Sequence, residues 1–395
     1  MRILVAAHNY PRFPGDPAGT YVRQLALGCR GRDHQVLVVA PHVAGTSEHE
    51  SENGVELQRF RYAPSGLERV GYRGEARVGR LLFGSAVLVL PSYLLAFRRA
   101  IRSSVSRFHP DVIHAHWWLP AGWLSATAGP PLVVTSHGSD VRLLERSRWL
   151  VRAARRVAAR AARWTAVSRF LAADLERRLS LPDRTVEVTP MPVDVALFEQ
   201  GRATPKAEPP RVLYAGNLLP SKGVDILIAA VALLRDRGID CRLRILGQGP
   251  AHDQLVAEVR SLRLDDRVTI APFVPQSEMP REYGAATITV LPTRGHAEGL
   301  GLGLVEALLA GSAVIGTPAG GIPEVVEDGV TGLITPDGDP TALAERLARL
   351  LQDQSLRLRL IAQGSERVRR LYSLHASVDR FLTLFDAAVH HRPRN

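Results

Sequence analysis

Residues 298–308 read Glu298-Gly299-Leu300-Gly301-Leu302-Gly303-Leu304-Val305-Glu306-Ala307-Leu308 and form the centre of a strand–turn–helix unit. Ahead of them, Ile288–Leu291 is a short apolar run that ends at Pro292-Thr293, the pattern of a buried parallel strand. Behind them, the apolar helix pattern stops near Gly311. A glycine-rich turn entering a helix exposes backbone N–H groups, and the positive end of the helix dipole reinforces them. Such a turn suits a phosphate or a sugar hydroxyl. Glu298 precedes the helix and can accept hydrogen bonds from vicinal hydroxyls. Glu306 follows a little over two helical turns later, so the two carboxylates can hold two ends of one extended polyol. A glutamate pair alone would equally be a cap and a solvated helix face, and the flanking elements have to decide.

The same alternation runs along the whole chain. Ile3–Ala7, Val36–Ala40, Val112–His116, Leu132–Ser136 and Trp164–Val167 read as strands, with helical stretches such as Tyr21–Cys29 and Trp149–Ala162 between them. Val212–Ala215, Arg242–Leu246, Val268–Ile270, Ile288–Leu291 and Ala313–Gly316 repeat the pattern. Buried strands with helices on both faces give doubly wound, Rossmann-like α/β domains, and 395 residues suffice for two. The expected division is a first domain over 1–195, a Pro-rich linker over 196–210 and a second domain over 211–370. A terminal helix follows over 371–395, with Leu374, Val378, Phe381 and Phe385 at helical spacing. Two such domains facing each other leave a cleft outside the carboxyl ends of their strands, the usual ligand position in this architecture.

Composition narrows the function classes. An apolar fraction of 46% places the chain among globular proteins. Cys29 and Cys241 offer neither a disulfide framework nor metal spacing, so a reducing, cytoplasmic compartment is the natural reading. The run Ile3–Ala7 is too short for a signal peptide and meets His8 and Asn9 at once. Leu81–Phe97, interrupted by Gly84, Ser85, Pro91 and Ser92, reads as a buried or surface helix rather than a span, which needs about 20 apolar residues. Residues 1–200 carry 27 Arg and no Lys against 17 acidic residues, whereas residues 201–395 are almost balanced. The densest basic piece is Arg142–Arg163. It is either a solvated face in an arginine-rich chain or a surface that attracts anionic lipid at the inner face of a membrane, or a phosphorylated acceptor. No aromatic-rich basic stripe or zinc pattern accompanies it, which argues against nucleic acid.

Glu298-x7-Glu306 belongs to an ordered series. Gly216-Asn217-Leu218-Leu219-Pro220-Ser221-Lys222-Gly223 and Leu246-Gly247-Gln248-Gly249-Pro250 come before it. Gly320-Gly321-Ile322-Pro323-Glu324-Val325-Val326, Gly329-Val330-Thr331-Gly332-Leu333-Ile334 and Asp337-Gly338-Asp339-Pro340 come after it. The series covers nearly the whole chain and resembles retaining glycosyltransferase family 4, which has the GT-B fold and serves bacterial envelope and exopolysaccharide assembly. The resemblance implies that Glu306 holds the ribose of a nucleoside-diphosphate sugar and that Glu298, a catalytic residue, holds the transferred sugar. Lys222 then pairs with the donor diphosphate, a role its ammonium suits as a point charge. Gly299, Leu300, Gly301 and Leu302 form the donor-binding turn. Where the family commonly has Arg, this chain has Asn217, which donates only a neutral hydrogen bond; charge-assisted ones are about twice as strong. Either the donor is held more weakly here or another cation, such as Arg294, takes its place.

The first half has its own loop after the first strand, from His8 through Gly15 to Gly19. Its spacing is not G-x-G-x-x-G and no acidic residue ends the second strand, so a dinucleotide fingerprint is not supported. By the resemblance, Gly19 lies at the donor phosphates; Gly15 and Gly19 could equally be plain turn glycines. His114 and His116 in Val112–Trp118 lack further ligands at metal spacing, so no metal is expected, and each reads as a core or rim histidine. His116 is also a candidate for the acceptor side. His137-Gly138-Ser139-Asp140 matches the family's first-domain active-site segment, which implies that the catalytic His137 contacts the transferred sugar. Asp140 holds either that loop or the acceptor, and Ser168 reads as a turn residue.

The expected reaction is transfer of a hexosyl unit to a lipid-linked or anionic glycan acceptor, with the nucleotide sugar as co-substrate and no cofactor. Paired carboxylates can also signal a hydrolase, but these two sit beside a phosphate-type loop in the expected donor domain. The resemblance implies a front-face displacement in which the leaving phosphate helps deprotonate the acceptor, without a metal. It also has the last helix crossing back to the first domain; a helix staying on its own domain is the alternative. A catalytically silent GT-B scaffold and a nucleotide-sugar epimerase are the competing classes.

Overall fold

The computed structural model describes residues 1–16, 18–68 and 85–390. The chain divides into two compact units, Met1–Pro192 together with the segment from Leu374 onward, and Val193–Ser373.

The first unit alternates strands β1 (Arg2–Ala6), β2 (Gln35–Pro41), β3 (His49–Glu52), β4 (Val55–Phe60), β5 (Val112–His116), β6 (Leu132–Ser136), β7 (Arg163–Ala166) and β8 (Val186–Val188) with helices. These helices are α1 (Thr20–Arg30), α2 (Ser85–Phe108), α3 (Trp123–Ser125), α4 (Ser139–Arg142), α5 (Arg148–Ala158) and α6 (Arg169–Leu179). The sheet order is β3-β4-β2-β1-β5-β6-β7-β8. Every pairing is parallel except β3 with β4. The inner strands are buried on both faces, as a parallel sheet wrapped by helices requires. The polar edge strand β3, the largely buried β4 with its mixed Val-Glu-Leu-Gln-Arg-Phe sequence and the short β8 carry no continuous apolar run, which is why the search for such runs passes over them. Of the interrupted apolar stretch Leu81–Phe97, residues 81–84 lie outside the described residues. The remainder opens α2, whose Tyr93 and Phe97 pack on Phe60 at ring distances of 5.5 and 4.6 Å. No helix among the described residues is long and apolar enough to cross a membrane.

The second unit contains β9 (Arg211–Ala215), β10 (Arg242–Leu246), β11 (Val268–Ala271), β12 (Ile288–Leu291), β13 (Ala313–Gly316) and β14 (Leu333–Ile334). Its helices are α7 (Val195–Glu199), α8 (Val224–Asp236), α9 (His252–Ser261), α10 (Met279–Ala285), α11 (Leu302–Leu309), α12 (Ile322–Val325), α13 (Pro340–Gln352) and α14 (Gln354–Tyr372). The sheet order is β11-β10-β9-β12-β13-β14, all parallel. The last helix, α15 (Leu374–Val389), packs on the first unit. Gly28 of α1 makes room for it, since a Cβ there would come within 2.4 Å of Val378. Phe381 and Phe385 each lie 5.1 Å from the His114 ring.

Residues 196–210 are not a linker. Phe198 is fully buried and its ring centroid lies 6.0 Å from that of Tyr283. Gly201 sits so close to the Pro280 carbonyl that a Cβ would stand 2.2 Å from it. Lys206 donates to the carbonyls of Gly284, Ala286 and Gly311 at 2.9, 2.7 and 2.6 Å. These carbonyls belong to the ends of α10 and α11, where a helix leaves its last acceptors unsatisfied. The stretch is poor in apolar residues, yet one phenylalanine and one ammonium pin it to the second unit. Phe198→Ala should therefore destabilise the protein by about 3–5 kcal/mol, the cost of emptying a core aromatic site. Chemical denaturation measures it, and a change near zero would show that the segment is a linker after all.

Candidate functional site

In an open parallel sheet, ligands bind beyond the carboxyl ends of the strands where the strand order reverses. In the second unit that point lies between β9 and β12, and the motif series empties onto it. The turn after β9 carries the exposed Asn217 and the half-buried Lys222; the turn after β12 carries Glu298. Lys222 Nζ donates to Glu298 Oε2 at 2.9 Å and to the Ala297 carbonyl at 2.8 Å. The side chains are only 12% and 18% exposed, so solvent screens this pair less than a surface one. Glycine makes the approach of the two turns possible. Gly223 has φ 67° and its missing Cβ would stand 2.0 Å from the Pro292 carbonyl. Gly320 has φ 56° and a Cβ there would stand 1.8 Å from the Glu298 carbonyl. Arg294 does not supply a loose cation here. It pairs with Asp225 at 2.5 Å, donates to the Pro220 carbonyl at 2.8 Å, and so clips the Lys222 turn to the turn after β12.

Gly299, Leu300 and Gly301 lead into α11, with Gly301 as N-cap at φ 90° and Leu302 as the first helical residue. Glu306 follows in the same helix and accepts a hydrogen bond from the Tyr283 hydroxyl at 3.1 Å. Burial pushes its carboxyl up to about 7, even though hydrogen bonds from Tyr283 and Gln276 hold it down. Tyr283 is a supporting residue that the sequence does not disclose, because a fully buried tyrosine reads as core. Tyr214 is another: its hydroxyl donates to the Asn217 carbonyl at 2.8 Å and steadies that turn.

In the first unit the order reverses between β1 and β5. His8 and Asn9 leave β1, Trp117 leaves β5, and His137 leaves the neighbouring β6. The loop from His8 closes with Gly19 as N-cap of α1. His116 Nδ1 and His137 Nε2 lie 3.0 Å apart, and the Tyr21 ring stands 4.9 Å from that of His137. His8 lies 3.9 Å from the Trp117 ring. Burial lowers all four imidazoles of this edge: His8 to about 4, His114 and His137 to about 3, and His116 well below its ordinary value. All are neutral at pH 7. Trp117 has φ 74°, a rare backbone state for a bulky residue that costs about 1–3 kcal/mol.

Two acceptor-side expectations change. Asp140 is fully buried, and its Oδ1 accepts the backbone N–H groups of His137 and Gly138, each at 3.0 Å. It holds the His137 loop and is not open to an acceptor. His116 is 1% exposed, so it orients His137 and does not face solvent. His114 is a core histidine on the Thr135 hydroxyl at 2.7 Å. Ser168 caps α6, accepting from Leu171 N at 3.2 Å.

Two family models match the chain: "Glycosyltransferase Family 4" over residues 18–197 and "Glycosyl transferases group 1" over residues 198–367. D-inositol 3-phosphate glycosyltransferase of Kineococcus radiotolerans is 32% identical, with 98% of this chain and 95% of that protein covered. Among solved structures, sucrose-phosphate synthase of Thermosynechococcus elongatus superimposes with a TM-score of 0.81 at 23% identity, covering 98% of each chain. Anabaena HepE in complex with UDP and glucose gives 0.72 at 20% identity, covering 98% of this chain and 100% of that one.

The imidazoles fix a pH response. The unfolded chain takes up protons near pH 6.5, but His8, His114 and His137 in the fold do so only near 4 and 3. Stability should therefore fall as pH drops below 6.5, with a slope approaching about 1.4 kcal/mol per pH unit for each histidine. Denaturant titrations from pH 7 to 5 measure this. A first unit whose stability stays level over that range would contradict the buried neutral cluster.

Proposed function

The chain belongs to glycosyltransferase family 4 and has the GT-B fold, and on that premise we propose that it is a retaining hexosyltransferase. The second unit takes the nucleoside-diphosphate sugar and the first takes a lipid-linked or glycan acceptor. The observation that carries the donor assignment is the Lys222–Glu298 pair at the strand-order reversal, beside the N-terminus of α11. A departing nucleoside diphosphate needs positive potential where its charge develops, and a part-buried ammonium next to a helix N-terminus supplies it. Glu298 accepts hydroxyls of the sugar, and Glu306, held by Tyr283, accepts those of the ribose. UDP leads the donor panel because the Anabaena neighbour was solved with UDP and glucose.

In the transfer, the bond from the anomeric carbon to the leaving phosphate breaks, and the acceptor oxygen bonds on the same face. The acceptor proton passes to a phosphate oxygen. His137, lowered to about 3, is a weak base at neutral pH, which supports a leaving group that accepts the proton itself. His137 then serves as a neutral hydrogen-bonding contact to the transferred sugar. Lys222 and the helix start supply the potential for which other transferases use a metal.

The chain works on acceptors of envelope or exopolysaccharide assembly at the inner face of the cytoplasmic membrane. Arg148, Arg152, Arg155 and Arg156 form an exposed stripe on α5, with Arg160 just beyond it, while Ala154 and Val157 face inward. Trp149 in the same helix is 70% exposed. Basic side chains around an exposed indole suit an anionic lipid surface.

Nucleoside diphosphate release from UDP-, GDP- and ADP-sugars tests the activity. One donor should be consumed, with kcat/KM falling at least a hundredfold in Glu306→Ala and Lys222→Ala, as losing a charge-stabilising group does. Turnover unchanged in both variants would refute the site. For the surface, charge reversal at Arg152, Arg156 and Arg160 should abolish binding to phosphatidylserine-containing vesicles. Arg155 is spared because it donates to the Leu179 carbonyl. Vesicle binding that survives the reversal would remove the membrane from the reading.

A further inference from the structure

The residue assigned to the donor phosphate and the residue assigned to the donor sugar are each other's partner. Lys222 Nζ donates to Glu298 Oε2 at 2.9 Å and to the Ala297 carbonyl at 2.8 Å, so two of its three N–H groups are engaged. The groups around the pair do not relieve either member. Arg294 is held by Asp225 and the Pro220 carbonyl, Asn217 is uncharged, and Glu306 accepts from Tyr283. A nucleotide sugar that engages both Lys222 and Glu298 must therefore take each from the other.

The backbone that carries the pair is fixed. A Cβ on Gly320 would stand 1.8 Å from the Glu298 carbonyl, and Gly321 N donates to that carbonyl at 3.3 Å. A Cβ on Gly223 would stand 2.0 Å from the Pro292 carbonyl. The pair opens by side-chain rotation, which the flexible stem of a lysine permits.

Charge shows what the pairing does. In a nucleotide sugar the phosphate next to the sugar is a diester with a single negative charge. Transfer leaves it a monoester, which carries about −1.5 to −2 at pH 7. A fixed and unpaired cation would hold that product more tightly than the donor. The sugar hydroxyls distinguish the two nucleotides, and Glu298 is their acceptor. While the hydroxyls donate to Glu298, the ammonium is released to the phosphate. Once the sugar has left, a carboxylate only 18% exposed is costly to leave unpaired, and Lys222 is the cation within its reach.

We propose that Glu298 discriminates between the donor and the spent nucleotide. It yields Lys222 to the phosphate only while a sugar engages its carboxylate, and it weakens the hold on nucleoside diphosphate by recapturing the ammonium. The inference rests on the donor reading above and adds to it a means of product release, a step that limits turnover in many enzymes.

Calorimetry on the full chain tests it, with UDP, GDP and ADP beside UDP-glucose, GDP-mannose and ADP-glucose. Glu298→Gln, which keeps the size and removes the charge, should bind nucleoside diphosphate about tenfold or more tightly than wild type, the worth of one charge-assisted hydrogen bond. The corresponding nucleotide sugar should not gain. In a Lys222→Ala background the same substitution should change nucleoside diphosphate affinity by less than about threefold, because the cation to be freed is gone. Glu298→Ala is the second variant, and thermal melts matched to wild type show which proteins are folded. Three results would overturn the inference: nucleoside diphosphate affinity that does not rise when the charge is removed, an equal gain for the nucleotide sugar, or a gain that persists undiminished without Lys222. The last would make Glu298 a plain source of repulsion. A wild type that binds none of these nucleotides overturns the donor reading itself, and this inference with it.

Discussion

Crossovers between parallel strands are right-handed, so a sheet built outward from its middle must send its helices to opposite faces on the two sides of its starting strand. The loops leaving the two strands at that point turn away from each other, and a crevice opens that no side chain of the sheet can fill. Both units are built under this constraint, at β9 and β12 in one and at β1 and β5 in the other. Each crevice has been lined with different chemistry. The second unit offers a cation, two carboxylates and a helix start, while the first offers neutral imidazoles and rings.

The two edges also differ in how they are held. In the second unit the backbone does the work. The Gly223 and Gly320 turns approach neighbouring carbonyls more closely than any Cβ allows, and the Arg294–Asp225 clip locks their spacing. In the first unit a single buried carboxylate, Asp140, gathers the loop bearing His137. That loop in turn sets the pairing of His137 with His116. One edge is held by a rigid backbone frame, the other by a layer of rings.

The order of elements was legible because parallel strands buried on both faces leave short apolar runs that few other structures produce. Strands β5, β6 and β12 begin and end where those runs do. Glu298 drew attention through the glycine-rich turn that follows it, and Lys222 only through the resemblance of its turn to the family motif; that the two meet is visible in the fold alone. Strand β3 was not legible, since its His-Glu-Ser-Glu sequence pairs through the backbone alone. Tyr283 and Phe198 carry no signal that separates a supporting contact from ordinary packing. The linker expected over 196–210 failed for a related reason: a proline-rich stretch poor in apolar residues shows no core pattern, and only the meeting of two helix ends draws Lys206 inward. Trp117 was quoted within a strand-end motif, but its backbone state depends on the loop that follows and has no sequence mark.

Lys206 has a practical corollary. The chain holds 48 arginines and only two lysines, and both lysines are engaged, one against Glu298 and one in a cage of three carbonyls. Burial brings the Lys206 ammonium down to about 8, so a larger share of it is free amine than in an ordinary lysine. Guanidinium groups do not acylate under mild conditions. Apart from the N-terminus, amine-directed reagents therefore find just two addresses on a strongly basic protein, one reporting on the donor turn and the other on the closure of α10 and α11.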